Sequence, residues 1–163
     1  MAVAHTVLHA YGSWHPDHPS GWHQHGENMP LRPDFHLGKR RRASQRWTTV
    51  HFPVEVHGEL VDLAADICRR RGWQFHAIAL TPSHMHLVYS WRTGLAALDT
   101  QAVFKRILGW KLAKLSGVSG RRWFSDGGRP KLVRSAEHLA FLLEEYLPDQ
   151  ADTFFAVPHR LTW

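Results

Sequence analysis

His84 and His86 stand one residue apart in TPSHMHLVYSW (81–91), at the head of an apolar run. On a strand, residues i and i+2 point to the same face, so both imidazoles would line one side of a sheet together with Val88. Met85, Leu87, Tyr89 and Trp91 take the other side, the natural core face, which leaves the histidines on the opposite, open side. Adjacent imidazoles on a rigid strand suit one divalent ion. The plainer reading is a half-exposed surface pair, because 14 histidines in 163 residues make chance pairs common. His23 and His25 in WHQHG form such a pair, in a stretch that fixes no geometry, and are not expected to be catalytic ligands.

The elements that would carry this pair follow from periodicity and turn chemistry. Residues 2–14, rich in β-branched and aromatic residues, predict a first strand. Residues 15–47 hold four prolines and five histidines with no sustained period, and read as a long irregular insertion, a loop or lid. Leu60, Leu63, Ala64 and Ile67 recur at helical spacing and predict a helix over about 55–71, stopped by Gly72. Strands follow at 73–81 and 84–91, joined by Pro82 and Ser83 in a tight antiparallel connection. A helix starting near Asp99 or Thr100 turns Phe104, Ile107, Leu108, Leu112 and Leu115 to the core. Residues 131–135 read as a fourth strand, and Ser135 caps a final helix whose Leu139, Leu142, Leu143 and Tyr146 share a face. The order gives one α+β domain over 1–163: a ferredoxin-like βαββαβ unit with a four-stranded antiparallel sheet and an additional C-terminal helix.

Lys and Arg outnumber Asp and Glu by 20 to 14, and the isoelectric point is about 10.0, which favours an anionic partner, nucleic acid first. The lone Cys68 excludes an internal disulfide and, within a helical run, reads as a core thiol. No apolar run approaches the roughly 20 residues that span a bilayer, and the N-terminus lacks a signal-peptide pattern. A cytoplasmic protein with no membrane partner is expected.

AIALTPSHMHLVYSW resembles the signature of the HUH single-tyrosine transposases, particularly the REP-associated and insertion-sequence types. Pro82, Ser83, His84, Met85 and His86 match the family's Pro-x-His-hydrophobic-His segment, and the resemblance in element order extends over most of residues 50–150. It implies a ferredoxin-like fold and a Mg²⁺ or Mn²⁺ ion on His84 and His86. It also implies a tyrosine on the last helix that attacks a DNA phosphate, and a Gln, Asn or His four residues later as third ligand. Of three tyrosines, Tyr11 falls in the first strand and Tyr89 on the core face, so Tyr146 is the candidate nucleophile and Gln150 the third ligand. Two departures stand out. Pro148 lies between them and is expected to push Leu147 out of helical geometry. The spacing from Val133 and Arg134 to Tyr146 is also about one residue longer than the family's, which requires a local bulge.

The implied activity is nicking and rejoining of single-stranded or hairpin DNA through a 5′-phosphotyrosine, by a monomer or by a homodimer that exchanges tyrosines. Lys39, Arg40, Arg41 and Arg42, with Arg46, and the group Arg121, Arg122, Arg129, Lys131 and Arg134 are candidates to track the DNA backbone. Trp47, Trp110 or Trp123 are candidates to stack on bases. Two alternatives stay open: a catalytically inactive, domesticated relative that binds structured single-stranded DNA or RNA, and a histidine-rich metal-binding protein centred on residues 15–36.

Overall fold

The structure, a computed structural model, describes residues 1–22, 29, 31–128 and 130–157. Five strands form one antiparallel sheet: β1 (Ala2–His9), β2 (Gln74–Leu80), β3 (His84–Trp91), β4 (Lys131–Val133) and β5 (Thr153–Ala156), in the order β4-β1-β3-β2-β5. The helices are α1 (Phe35–Ala43), α2 (His57–Arg71), α3 (Ala97–Ser116), α4 (Ala136–Phe141) and the short α5 (Leu147–Asp149).

One sheet face carries the main core. Leu8, Ile78, Leu80, Leu87 and Tyr89 meet Leu60, Ala64 and Ile67 of α2 and Phe104, Leu108 and Leu112 of α3. At roughly 1.5–3 kcal/mol for each buried large apolar side chain, this layer is a principal source of stability. The Tyr89 hydroxyl is buried but paired, 3.1 Å from Thr6 Oγ1 and 2.8 Å from Thr100 Oγ1, so its burial leaves no orphaned polar group. Cys68 is a buried core thiol, as its helical context predicts, with burial pushing its pKa up to about 12. Among the described residues no helix is long and apolar enough to cross a membrane.

The other face is not open. Val3, Ala77, Ala79, Val88 and Val133 pack against Leu139, Leu142 and Leu147, so the C-terminal helical segment covers the face on which the histidines lie. Between α4 and α5, residues Leu142–Tyr146 form a π-helical turn, and the Leu147 amide donates to the Leu142 carbonyl five residues back. The reason is packing. Five residues apart, Leu142 and Leu147 would diverge by about 140° in a regular α-helix; a π turn, with its i→i+5 repeat, puts both over the sheet.

Several expectations are corrected. The sheet has five strands rather than four: β5 pairs with β2 over Leu80↔Thr153 to Ala77↔Ala156, and at four residues it is too short to show a period. The insertion 15–47 is not irregular throughout, because α1 forms within it. Asp34 caps α1 by accepting from the Leu37 amide, and Gly38 allows close approach, since a Cβ there would lie 2.5 Å from Asp17 Cγ. Its cationic last turn complements the helix dipole but hides any apolar face from sequence inspection. The first strand stops at His9, so Tyr11 lies in a turn beyond it. Finally, Pro148 does not break the helix: Leu147 keeps helical angles (φ −73°, ψ −38°), and Pro148 sits within the first two positions of α5.

Candidate functional site

The β1–β3 register sets His9 opposite His84 and Val7 opposite His86. By strand alternation His5, His9, His84 and His86 all point to the face beneath the C-terminal segment, and Tyr146 reaches them from above. The rings form a connected group. Centroid separations are 4.9 Å for His84–His86, 5.6 Å for His9–His84 and 5.1 Å for His5–His86, the last pair stacked. Tyr146 stands edge-on to His86 at 5.8 Å and to His5 at 5.9 Å.

Each histidine of the motif has its Nδ1 engaged. His84 Nδ1 lies 3.0 Å from Thr81 Oγ1 and 2.9 Å from Ser83 Oγ, while His86 Nδ1 lies 2.9 Å from His5 Nε2. The 81–83 turn is itself anchored: the Phe52 amide donates to the Pro82 carbonyl and the Ala10 amide to that of Ser83, both at 2.8 Å. His86 is 3% exposed, yet its Nε2 has no hydrogen-bond partner among the described residues, and the buried Nδ1 of His9 is likewise unpartnered there. A buried polar nitrogen without a partner is costly.

Burial keeps these rings neutral. It pushes His86 down to about 3, with further contributions from the neighbouring His5, His84 and His9. It lowers His5 to about 4, with Lys131 and His138 adding to the effect, and His9 to about 4, with His84, Lys105 and His18 adding. His84 is also lowered by burial. Neutral imidazole is the ligating form, and a second hydrogen-bonded nitrogen is the arrangement that orients metal ligands. His84 and His86, each with its Nδ1 engaged, are the residues that could hold a divalent ion. Among the described residues no three His, Cys, Asp or Glu side chains are arranged to hold a metal by themselves.

The other sequence candidates divide. Gln150 is exposed at the end of α5; its amide donates to the Leu147 carbonyl, and its side chain bonds neither imidazole. Lys39, Arg40, Arg41 and Arg42 lie exposed on α1, where Arg42 pairs with Asp17 and Arg41 lies over the Trp22 ring at 5.3 Å. Arg121 is held by the Thr48 carbonyl and Arg122 by Asp126. Lys131 and Arg134 are exposed, and Lys131 on β4 is close enough to lower the His5 pKa. Arg129, like His23 and His25, lies outside the described residues. His5 and His9 escaped the sequence reading. Their i, i+4 spacing on a strand puts them on one face, but only pairing with β3 brings that face to His84 and His86.

No family model matches this chain, and no curated protein matches it significantly.

Proposed function

We propose that this protein is a metal-dependent endonuclease of the HUH transposase type, which nicks and rejoins single-stranded or hairpin DNA through a 5′-phosphotyrosine at Tyr146. The observation that carries this is the Tyr146 ring beside His86, whose own ring adjoins His84 and whose buried Nε2 has no partner among the described residues. The resemblance of Pro82–His86 to the family motif and the order β4-β1-β3-β2 of the first four strands, with α2 and α3 as crossovers, support the accompanying ferredoxin-like reading. The fifth strand is an addition at the β2 edge.

His84 and His86 would hold Mg²⁺ or Mn²⁺, imidazole favouring the latter, with Gln150 as the family's third ligand after a movement of its exposed helix end. The ion would supply charge neutralisation at a non-bridging phosphate oxygen. The chain's own groups do the rest. If Nε2 of His86 is the ligating atom, its Nδ1–H donates to His5 Nε2, which fixes the tautomer and aims the ring. Tyr146 Oη attacks phosphorus and gives up its proton, the P–O3′ bond breaks, the 3′-oxygen takes up one proton in exchange to become a free hydroxyl, and the phosphotyrosine retains the bond energy for rejoining. Tyr146 stands beside the histidines of its own chain, which favours a monomer over a tyrosine-exchanging homodimer. Buried Cys68 is consistent with a cytoplasmic setting.

A second reading has an observation of its own: Gln150 stays away from the imidazoles, as it would in an inactive relative that binds structured single strands without cutting. Incubation with internally labelled hairpin DNA and Mn²⁺ separates the two. A covalent adduct that disappears in Tyr146→Phe establishes the nuclease. Tight binding with no adduct, in wild type and variant alike, establishes the binder.

A further inference from the structure

A second feature suited to nucleic acid lies away from the histidine group, on the outer side of α3, the helix that packs the opposite sheet face. Between α3 and residues 120–126 runs a groove of about 520 Å³. Its α3 wall includes the small residues Ala102, Gly109 and Ala113; a Cβ added at Gly109 would reach van der Waals contact with Trp123, 3.7 Å from Cδ1. Trp110 stands at its side 65% exposed, a large indole with no apolar cover, and Lys114 Nζ lies 5.7 Å from its ring centroid. Lys105, Arg106, Arg121 and Arg122 line the groove against one carboxylate, Asp126.

Trp123 Nε1 and Arg121 Nε are buried and have no acceptor among the described residues. Both residues line the groove, and both atoms can only donate. A ligand that supplies negative charge and a flat apolar face would answer the cationic lining and the exposed indole together, which is the chemistry of a nucleotide: phosphate oxygens beside a π-face. A simple phosphate leaves Trp110 uncovered, and an acidic peptide lacks the planar face. The groove is tied to the end of β1 through the backbone, since the Ser125 amide donates to the His9 carbonyl at 2.9 Å and Ser125 lines the groove.

We propose that the groove between α3 and residues 120–126 binds an unpaired nucleotide, with its base stacked on Trp110 and its backbone held by Arg106 and Arg122. The proposal extends the DNA-processing reading to a second contact, yet stands on different residues, so each can fail alone. The probes are fluorescein-labelled dT12 and rU12, titrated in 50 and 200 mM salt against full-length wild type, Trp110→Ala and Gly109→Leu, with poly-glutamate as competitor. Trp110→Ala should weaken binding of the oligonucleotides about 5-fold or more, as expected for loss of one base–aromatic stack. Gly109→Leu, which fills the groove and leaves Trp110 in place, should do the same, with unchanged circular dichroism. Preference for dT12 over rU12 or the reverse decides between DNA and RNA as source, and either supports the site. Unchanged affinity in both variants, or displacement by poly-glutamate as readily as by unlabelled dT12, overturns it. Adduct formation at Tyr146 is scored separately: adduct with unaltered groove variants sinks the groove alone, and groove-dependent binding without adduct sinks the nuclease alone.

Discussion

His5 and His86 lie stacked across β1 and β3, ring centroids 5.1 Å apart, with His5 Nε2 2.9 Å from His86 Nδ1. His5 thus does for His86 what the Thr81 and Ser83 hydroxyls do for His84. It engages one ring nitrogen and leaves the other for a ligand. His5→Ala should therefore lower Mn²⁺ affinity, measured by isothermal titration, about 10-fold or more, while His86→Ala removes it almost wholly. An affinity indifferent to His5→Ala would show that this imidazole only packs.

His9 and Gln150 are competing candidates for the third ligand of the proposed ion. His9 presents a buried, unpartnered Nδ1 near His84; Gln150 is exposed at a helix end. If Gln150 is the third ligand, Gln150→Ala weakens Mn²⁺ binding and His9→Phe does not. The reverse pattern would move the site to β1, and Mn²⁺ electron paramagnetic resonance reads the nitrogen count directly.

The metal-free protein should lose stability in mild acid. The folded pKa values of His5, His9 and His86, about 4, 4 and 3, lie below the ordinary 6.5, so the unfolded chain takes up protons first as pH falls. Stability from these rings is complete above about pH 6.5 and is lost progressively down to their folded values, at about 1.4 kcal/mol per pH unit for each ring. Urea midpoints in EDTA at pH 7.5, 6.5 and 5.5 test this. A midpoint that holds steady from 6.5 to 5.5 contradicts the burial of these imidazoles.

The π turn makes a packing prediction. Leu147, fully buried over the sheet, should cost about 2–5 kcal/mol as Leu147→Ala, seen as a lowered Tm, because the cavity lies under the segment that carries Tyr146. Deleting Glu145, exposed within the turn, should instead be tolerated, since Leu142 and Leu147 would then be four apart and share a face in a regular α-helix. Loss of cooperative unfolding on deletion would mean that the extra residue serves something other than leucine register.

On α1, Lys39, Arg40 and Arg41 are exposed and have no acidic partner among the described residues, whereas Arg42 is paired with Asp17. If this surface tracks DNA phosphates, each of Lys39→Ala, Arg40→Ala and Arg41→Ala should reduce the slope of log affinity against log salt by about 1. Arg42→Ala should have a smaller effect, as its charge is already answered. Equal slopes across all four variants would remove α1 from the contact surface.

What the sequence determined by itself is local. Alternation in HMHLVYSW placed His84 and His86 together and Tyr89 in the core; helical spacing located α2 and α3; Ser135 announced α4, and its Oγ accepts from the His138 amide. These signals survive because period and capping act within a few residues. What only the tertiary structure decided depends on elements distant in the chain: His5 and His9 joining the site through the β1–β3 register, and the supposedly open face being covered by Leu139, Leu142 and Leu147. The same holds for the π turn. Only the requirement that two leucines five residues apart press on one sheet places it at Leu142–Tyr146.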